Sequence, residues 1–200
     1  MPAMISRVLN SISFDGIALN NKFAVDFTWP KKMPSIAGQY LDEFVDLRCV
    51  GVNLAGRTLT SFEETNIYGP VRSVPEGVSY AEDITLTFLE TRDLAVRHTF
   101  EVWQSMCFNE KDWNLGYYDD FIGDITIYLL TQDGLPSYGI TCREAWPKTL
   151  NPIPLSMEPT TTAIQTEVSF SFRYWTRVPP EKIVELSEAG TSKLVDNTSK

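Results

Sequence analysis

The stretch AIQTEVSFSFRYW, Ala163 to Trp175, alternates almost without error. Ile164, Val168, Phe170, Phe172 and Tyr174 point one way, with Thr166 among them, and Gln165, Glu167, Ser169, Ser171 and Arg173 point the other. A period of two belongs to a β-strand, whose successive side chains leave on opposite faces. One apolar face and one polar face require a core on one side and water on the other, the habit of antiparallel sheets.

The same pattern recurs along the chain. Phe23, Val25, Phe27 and Trp29 alternate with Ala24, Asp26 and Thr28 until Pro30 ends the run. A second strand is expected over about Glu43 to Leu54. In the third, Ile84, Leu86 and Phe88 form the core face against Asp83, Thr85 and Thr87. The fourth, Gly123 to Thr131, sets Ile125, Ile127 and Leu129 against Asp124, Thr126 and Tyr128. A fifth runs from about Ser137 to Trp146, after a turn signalled by the Asp-Gly step and Pro of Gln132–Ser137. Val168, Phe170 and Phe172 complete the expected core from the opening stretch. One helix is clear: Thr91 caps it, Asp93 sits in its first turn, and Val96, Phe100, Trp103 and Cys107 form a single apolar stripe. A shorter helix is expected near Ser35 to Leu41. The polar segment Thr60 to Glu76 reads as an extended loop or a projecting hairpin. The reading is a mainly β, α+β chain: one antiparallel sandwich or barrel-like domain over 1–180 with one flanking helix. The polar, aromatic-free end, 181–200, reads as a mobile tail.

Of the 200 residues 43% are apolar and 22% charged, an ordinary globular balance. No apolar run approaches the roughly 18 residues of a membrane helix, so no membrane anchor is expected. MPAMISRVLNSISFDG carries one Arg and no compact apolar block, a poor signal peptide, which points to synthesis in the cytosol. Cys49, Cys107 and Cys142 are far apart and form no CxxC, so reduced thiols facing the core are expected. The net charge is −9, and between Glu101 and Leu135 seven acidic residues face one base, Lys111. A tight nucleic-acid binder shows the opposite sign. Such a surface serves solubility, or one past which nucleic acid slides without sticking.

Familiar catalytic and metal-binding patterns are scarce. One histidine, His98, falls inside the helix, which starves charge-relay catalysis and His-rich zinc sites. GVNLAGRT, Gly51 to Thr58, nearly fits a phosphate loop, but Arg57 stands where Lys is required and no helix follows. Asp119, Asp120 and Asp124 cluster without a calcium-loop pattern. There is no G-x-S-x-G elbow, and the aromatics are not interleaved with basic residues. The expectation is therefore not an enzyme, with no catalytic, cofactor-binding or metal residues and no cofactor.

From Tyr80 to Trp175 the order of landmarks resembles the tail tube protein of contractile-tailed bacteriophages. An apolar strand exits through Glu90 and Asp93 into a helix ending in Trp103-Gln104-Ser105. A loop, Met106 to Asp120, follows, then two strands, the second closing on Trp146-Pro147. A link with Ile153 and Leu155 leads to the last strand and its Tyr174-Trp175 close. Upstream, Ala55-Gly56-Arg57 matches an Ala-Gly and Arg region that includes a long hairpin. The resemblance implies a virion structural protein: a homo-hexameric ring whose sheets join between subunits into one β-barrel, rings stacked inside a tail sheath, and genomic DNA ejected through the channel without specific binding. The fold is shared with type VI secretion tubes and baseplate tube initiators. It implies assembly in the host cytoplasm, residence in the virion tail, and the sheath and baseplate proteins as partners. The lumen would then be lined by Asp83, Thr85, Thr87, Asp124, Thr126, Gln165, Glu167, Ser169 and Ser171, with Arg173 at the rim or in an ion pair between subunits. Thr60–Glu76 and Asn109–Asp120 would stack the rings. The continuation past Trp175 and the aromatic, acidic loop Met106–Asp120 leave a tube initiator as the alternative. A monomeric β-rich module holding a small ligand is the reading from another class.

Overall fold

The computed structural model describes residues 18–34, 45–65, 68–80, 83–155 and 163–186. The short helix expected over Ser35–Leu41, the start of the second expected strand and residues 187–200 lie outside them. Eleven strands and two short-to-medium helices follow in chain order: β1 Phe23–Thr28, β2 Cys49–Val52, β3 Thr58–Glu64, β4 Arg72–Ser79, β5 Ile84–Leu89, α1 Ala95–Cys107, β6 Phe108–Asn109, β7 Asn114–Leu115, α2 Tyr118–Phe121, β8 Gly123–Leu130, β9 Pro136–Leu150, β10 Gln165–Ser171 and β11 Tyr174–Arg177. A further helical turn covers 180–186. The main sheet runs β1-β8-β9-β10-β5-β2, with β11 also on β9, while β3–β4 and β6–β7 are separate two-stranded hairpins. The chain is thus mostly β, antiparallel, with one substantial helix.

The described residues divide into two compact units. The larger takes Val25–Ile127 and Ile140–Arg177; the smaller takes what is described of Met1–Ala24, Tyr128–Gly139 and Val178–Lys200. In the smaller unit the expected turn is present: Leu135 bonds back to Thr131, and Gly134 at φ 81 supplies the left-handed backbone that glycine adopts freely. The 180–186 turn, at the head of the expected tail, buries Ile183.

The core of the larger unit is an aromatic cluster between α1 and one face of β5 and β10. The spacing of Val96, Phe100 and Trp103 puts all three on one side of α1, and all three are fully buried. Ile84, Leu86 and Phe88 on β5, and Val168 and Phe170 on β10, close over them from the sheet. Phe100 sits at the centre. Its ring centroid lies 5.1 Å from Phe88, 5.5 Å from Phe170 and 6.1 Å from Phe27. Pairs at these separations contribute about 0.5–1.5 kcal/mol each beyond simple burial. Trp103 donates its indole N–H to the Phe121 carbonyl at 2.6 Å, so the largest core side chain buries no orphan donor. Ile125, Ile127 and Phe172 are buried as well.

The structure departs from the alternation in four places. Leu129 is half-buried rather than core. Thr126, expected on the wet face, is 8% exposed, because its hydroxyl pairs with that of Thr141 on β9 at 3.1 Å. Asp93 precedes α1 instead of lying in its first turn, since Leu94 takes φ 51 and delays the helix to Ala95. Thr91 still serves the start, accepting the Ala95 N–H at 3.1 Å, and Glu90 accepts the Arg97 N–H at 3.0 Å. Finally, the opening stretch is not one strand. It breaks at Phe172–Arg173, β10 pairing with β5 and β9, and β11 pairing with β9 alone. The break lies opposite Glu144, a left-handed residue at φ 56 within the 15-residue β9.

Gly123 opens β8 against the β1 backbone and the α1 indole: a Cβ there would stand 2.6 Å from the Thr28 carbonyl oxygen and 3.0 Å from the Trp103 ring. Gly123→Ala should therefore cost about 1–3 kcal/mol by overpacking. Phe100→Ala should cost about 3–5 kcal/mol by cavity formation. Denaturant unfolding of the two variants beside the parent chain measures both.

Candidate assembly surfaces

The face of β5 and β10 opposite the aromatic core is polar. Thr87 stands across from Glu167 and Thr85 across from Ser169, whose hydroxyls lie 3.4 Å apart. Gln165 and Glu167 are exposed, and Ser169 and Ser171 are half-exposed. The charges on this face have partners. Lys148 Nζ meets Asp83 at 2.6 Å, and Asn151 donates to Glu167 at 2.7 Å. Asp124 on β8 pairs with Arg143 at 2.6 Å and also accepts the Glu144 N–H at 3.1 Å. Eight of the nine residues expected on the wet side are thus partly or fully exposed; Thr126 is not.

Sequence reasoning missed the node at Glu144 on β9. Glu144 takes two bonds from the Arg173 guanidinium, at 3.0 and 3.2 Å, and one from the Tyr118 hydroxyl at 2.9 Å. Arg173 also donates its backbone N–H to the Arg143 carbonyl. Desolvation first, and the bond to Glu144 second, raise the Tyr118 hydroxyl above its ordinary range. Arg173 thus has its ion pair inside the chain. No sequence signal announces this, because a left-handed Glu looks like any other residue in a strand.

Two surfaces expose apolar side chains. The first is the β3–β4 hairpin, the projecting hairpin anticipated from Thr60–Glu76. Leu59 is paired with Val78 and Phe62 with Val74, two apolar cross-strand pairs on the ribbon. Leu59, Phe62 and Val78 are all exposed, at 62%, 48% and 50%. The second is the short β6–β7 hairpin and the turn after it, where Trp113, Leu115 and Tyr117 are each more than three-quarters exposed. Gly116 N–H bonds to the Cys107 carbonyl at 3.0 Å and ties this hairpin to the end of α1.

The acidic trio divides. Asp120 pairs with Lys32 and Asp124 with Arg143, while Asp119 and Asp124 both line a cleft of about 250 Å³ with Thr28, Trp29 and Lys31. Among the described residues no three His, Cys, Asp or Glu side chains are placed to hold a metal ion. His98 is exposed on α1. Gly51 and Thr58 belong to β2 and β3, so the near phosphate loop is a link between strands and leads into no helix. Among the described residues no helix is long and apolar enough to cross a membrane.

The sequence profile of the phage tail tube protein family matches residues 18–178. No curated protein sequence matches the chain. Among solved structures, a chain of the PVC sheath-tube complex, an extracellular contractile injection system in its extended state, is similar with a TM-score of 0.60 and 14% identity, over 84% of this chain and 96% of that one. A chain of the anti-feeding prophage baseplate, 6-fold symmetrised, gives 0.55 and 16%, over 81% and 95%. One from that system's tube-terminating cap gives 0.58 and 13%, over 81% and 91%. At these identities the likeness is one of fold.

Burial raises all three thiols, Cys49, Cys107 and Cys142, from about 9 to about 12. At pH 8 the folded chain should therefore react with a disulfide reagent far more slowly than the chain in denaturant, where all three thiols respond. The sign of the pH effect follows. The unfolded chain loses thiol protons near pH 9 while the folded chain keeps them, so these groups lower stability as pH rises through 9 to 12. Urea midpoints at pH 7.5 and 10, compared with those of a triple Cys→Ala variant, isolate the contribution.

Proposed function

The chain belongs to the phage tail tube protein family, and from that premise we propose that it is the repeating subunit of the inner tube of a contractile phage tail. Membership makes it a tube-type structural protein of a tail. The finer reading is that six copies close a ring, that rings stack inside a sheath on a baseplate, and that genomic DNA leaves through the bore.

The observation that carries this reading is the architecture of the sheet. It ends in two strands with no further neighbour among the described residues, β1 and β2, and its two faces differ in kind: aromatic core on one side, hydroxyls and paired charges on the other. Edges of this sort are an aggregation hazard unless pairing consumes them, and closure of a ring does so at a fixed number. The six-fold symmetrised baseplate containing a chain of the same fold supports six. In such a ring Asp83, Thr85, Thr87, Asp124, Gln165, Glu167, Ser169 and Ser171 face the channel; Thr126 leaves the set. A lining of hydroxyls, carboxylates and locally neutralised lysine offers phosphate few strong contacts, so DNA slides. The β3–β4 hairpin then covers its exposed Leu59, Phe62 and Val78 against a neighbouring ring. The tail-tube-like domain spans 1–180, with synthesis and assembly in the host cytoplasm. The exposed aromatic β6–β7 hairpin favours a second reading, in which the chain is a tube initiator that also grips a baseplate component.

Light scattering with negative-stain microscopy across a range of concentrations tests the reading. Rings and stacked tubes are expected; rings that never stack favour the initiator, and a monomer at every concentration speaks for a ligand-binding module. Phe62→Asp should leave rings intact and abolish stacking. In the tube, amides of β3, β4 and the 109–120 segment should exchange much more slowly than in the unassembled chain. Equal protection would contradict their role in stacking.

A further inference from the structure

Among the described residues the β3–β4 hairpin pairs with no other strand, and a lone two-stranded ribbon is marginal in water. Its orientation must come from its root. There, both legs meet one side chain. Gly56, two residues before β3, gives its carbonyl to the indole N–H of Trp175 at 3.0 Å. Arg57, on the same leg, holds its guanidinium 5.4 Å from the centre of the Trp175 ring. Tyr80, the residue after β4, meets that ring edge-on at 6.3 Å. Trp175 itself is fixed by the main sheet, since β11 pairs it with Cys142 on β9. The three contacts use three different properties of the indole: its donor, its π face and its edge. They also link positions 119 residues apart in sequence, Gly56 and Trp175, into one joint.

We propose that Trp175 is a positioning residue for assembly: its indole clamps both legs of the β3–β4 hairpin and sets the direction in which the hairpin meets the next copy of this chain. This rests on the tube reading for its consequence, though not for its geometry. Phenylalanine at 175 keeps a ring for Arg57 and Tyr80 but loses the bond to Gly56. Alanine loses all three.

The test uses the full-length chain and two readouts. Hydrogen exchange at concentrations below assembly reads the clamp alone. In Trp175→Phe the amides of β3 and β4 should exchange about fivefold faster, the effect of one hydrogen bond. Trp175→Ala should exceed that. Amides of β5 and β10 should stay within twofold of the parent, which separates a positioning role from a general loss of fold. Microscopy at high concentration reads the consequence: closed rings persist in both variants, while tubes shorten in the first and disappear in the second. Unchanged hairpin exchange in Trp175→Ala overturns the clamp. So does equal acceleration of the hairpin and the main sheet. A loosened hairpin with tubes of parental length overturns the link to assembly. If the parent chain itself forms no tubes, the tube reading fails, and the exchange data still decide the clamp.

Discussion

Everything else in the larger unit depends on one contact: the aromatic stripe of α1 pressed into the apolar side of β5 and β10. Burial there is complete for Phe88, Phe100, Trp103 and Phe170. A sheet packed on one face only has its sidedness fixed, because a slip of one residue would carry Phe88 and Phe170 into water and Thr87 and Ser169 into the aromatic cluster. The polar face is therefore a consequence of the core. The side chains on the polar face are settled by where Phe100 sits, and Gly123 lets β1 and the Trp103 ring of α1 approach β8 closely.

Electrostatics then act locally. The chain carries a net charge of −9, yet most carboxylates around the polar face have a cation or amide beside them: Asp83 with Lys148, Asp124 with Arg143, Glu144 with Arg173, Glu167 with Asn151. Exposed pairs of this kind add little stability, about 0–1 kcal/mol each. What they do is hold long side chains flat along the sheet and shorten the reach of the field. A surface so arranged stays wet without becoming strongly attractive or repulsive at a distance, since screening in physiological salt ends within about 8 Å.

The strands and the helix were legible because their periods are clean. ITLTFL and VRHTFEVW announce an alternating run and a stripe, and the side chains they nominate at Ile84, Leu86, Phe88, Val96, Phe100 and Trp103 lie inside. The projecting hairpin was legible from its polarity, but its apolar pairs were not. Leu59 meets Val78 and Phe62 meets Val74 across the ribbon, with Glu76 of β4 skipped between them, and no pattern within either leg reveals this. The same holds for β9. Glu144 adopts a left-handed backbone, an energetic choice imposed by bonds to Asp124, Arg173 and Tyr118 that are remote in sequence. Thr126 was misplaced because its polarity is satisfied by one neighbour, Thr141, which no pattern within β8 can reveal.

The hairpin joined at its root has a mechanical consequence. A ribbon held at its root is a lever, and the direction in which it projects is set by the joint. Residues near its far end, such as Tyr68 at 91% exposure, touch little of their own chain. Insertions or deletions there change the length of the lever without disturbing the sheet that carries the joint. Chains of this fold are thus free to vary in the reach of the hairpin while the sheet that carries it remains the same.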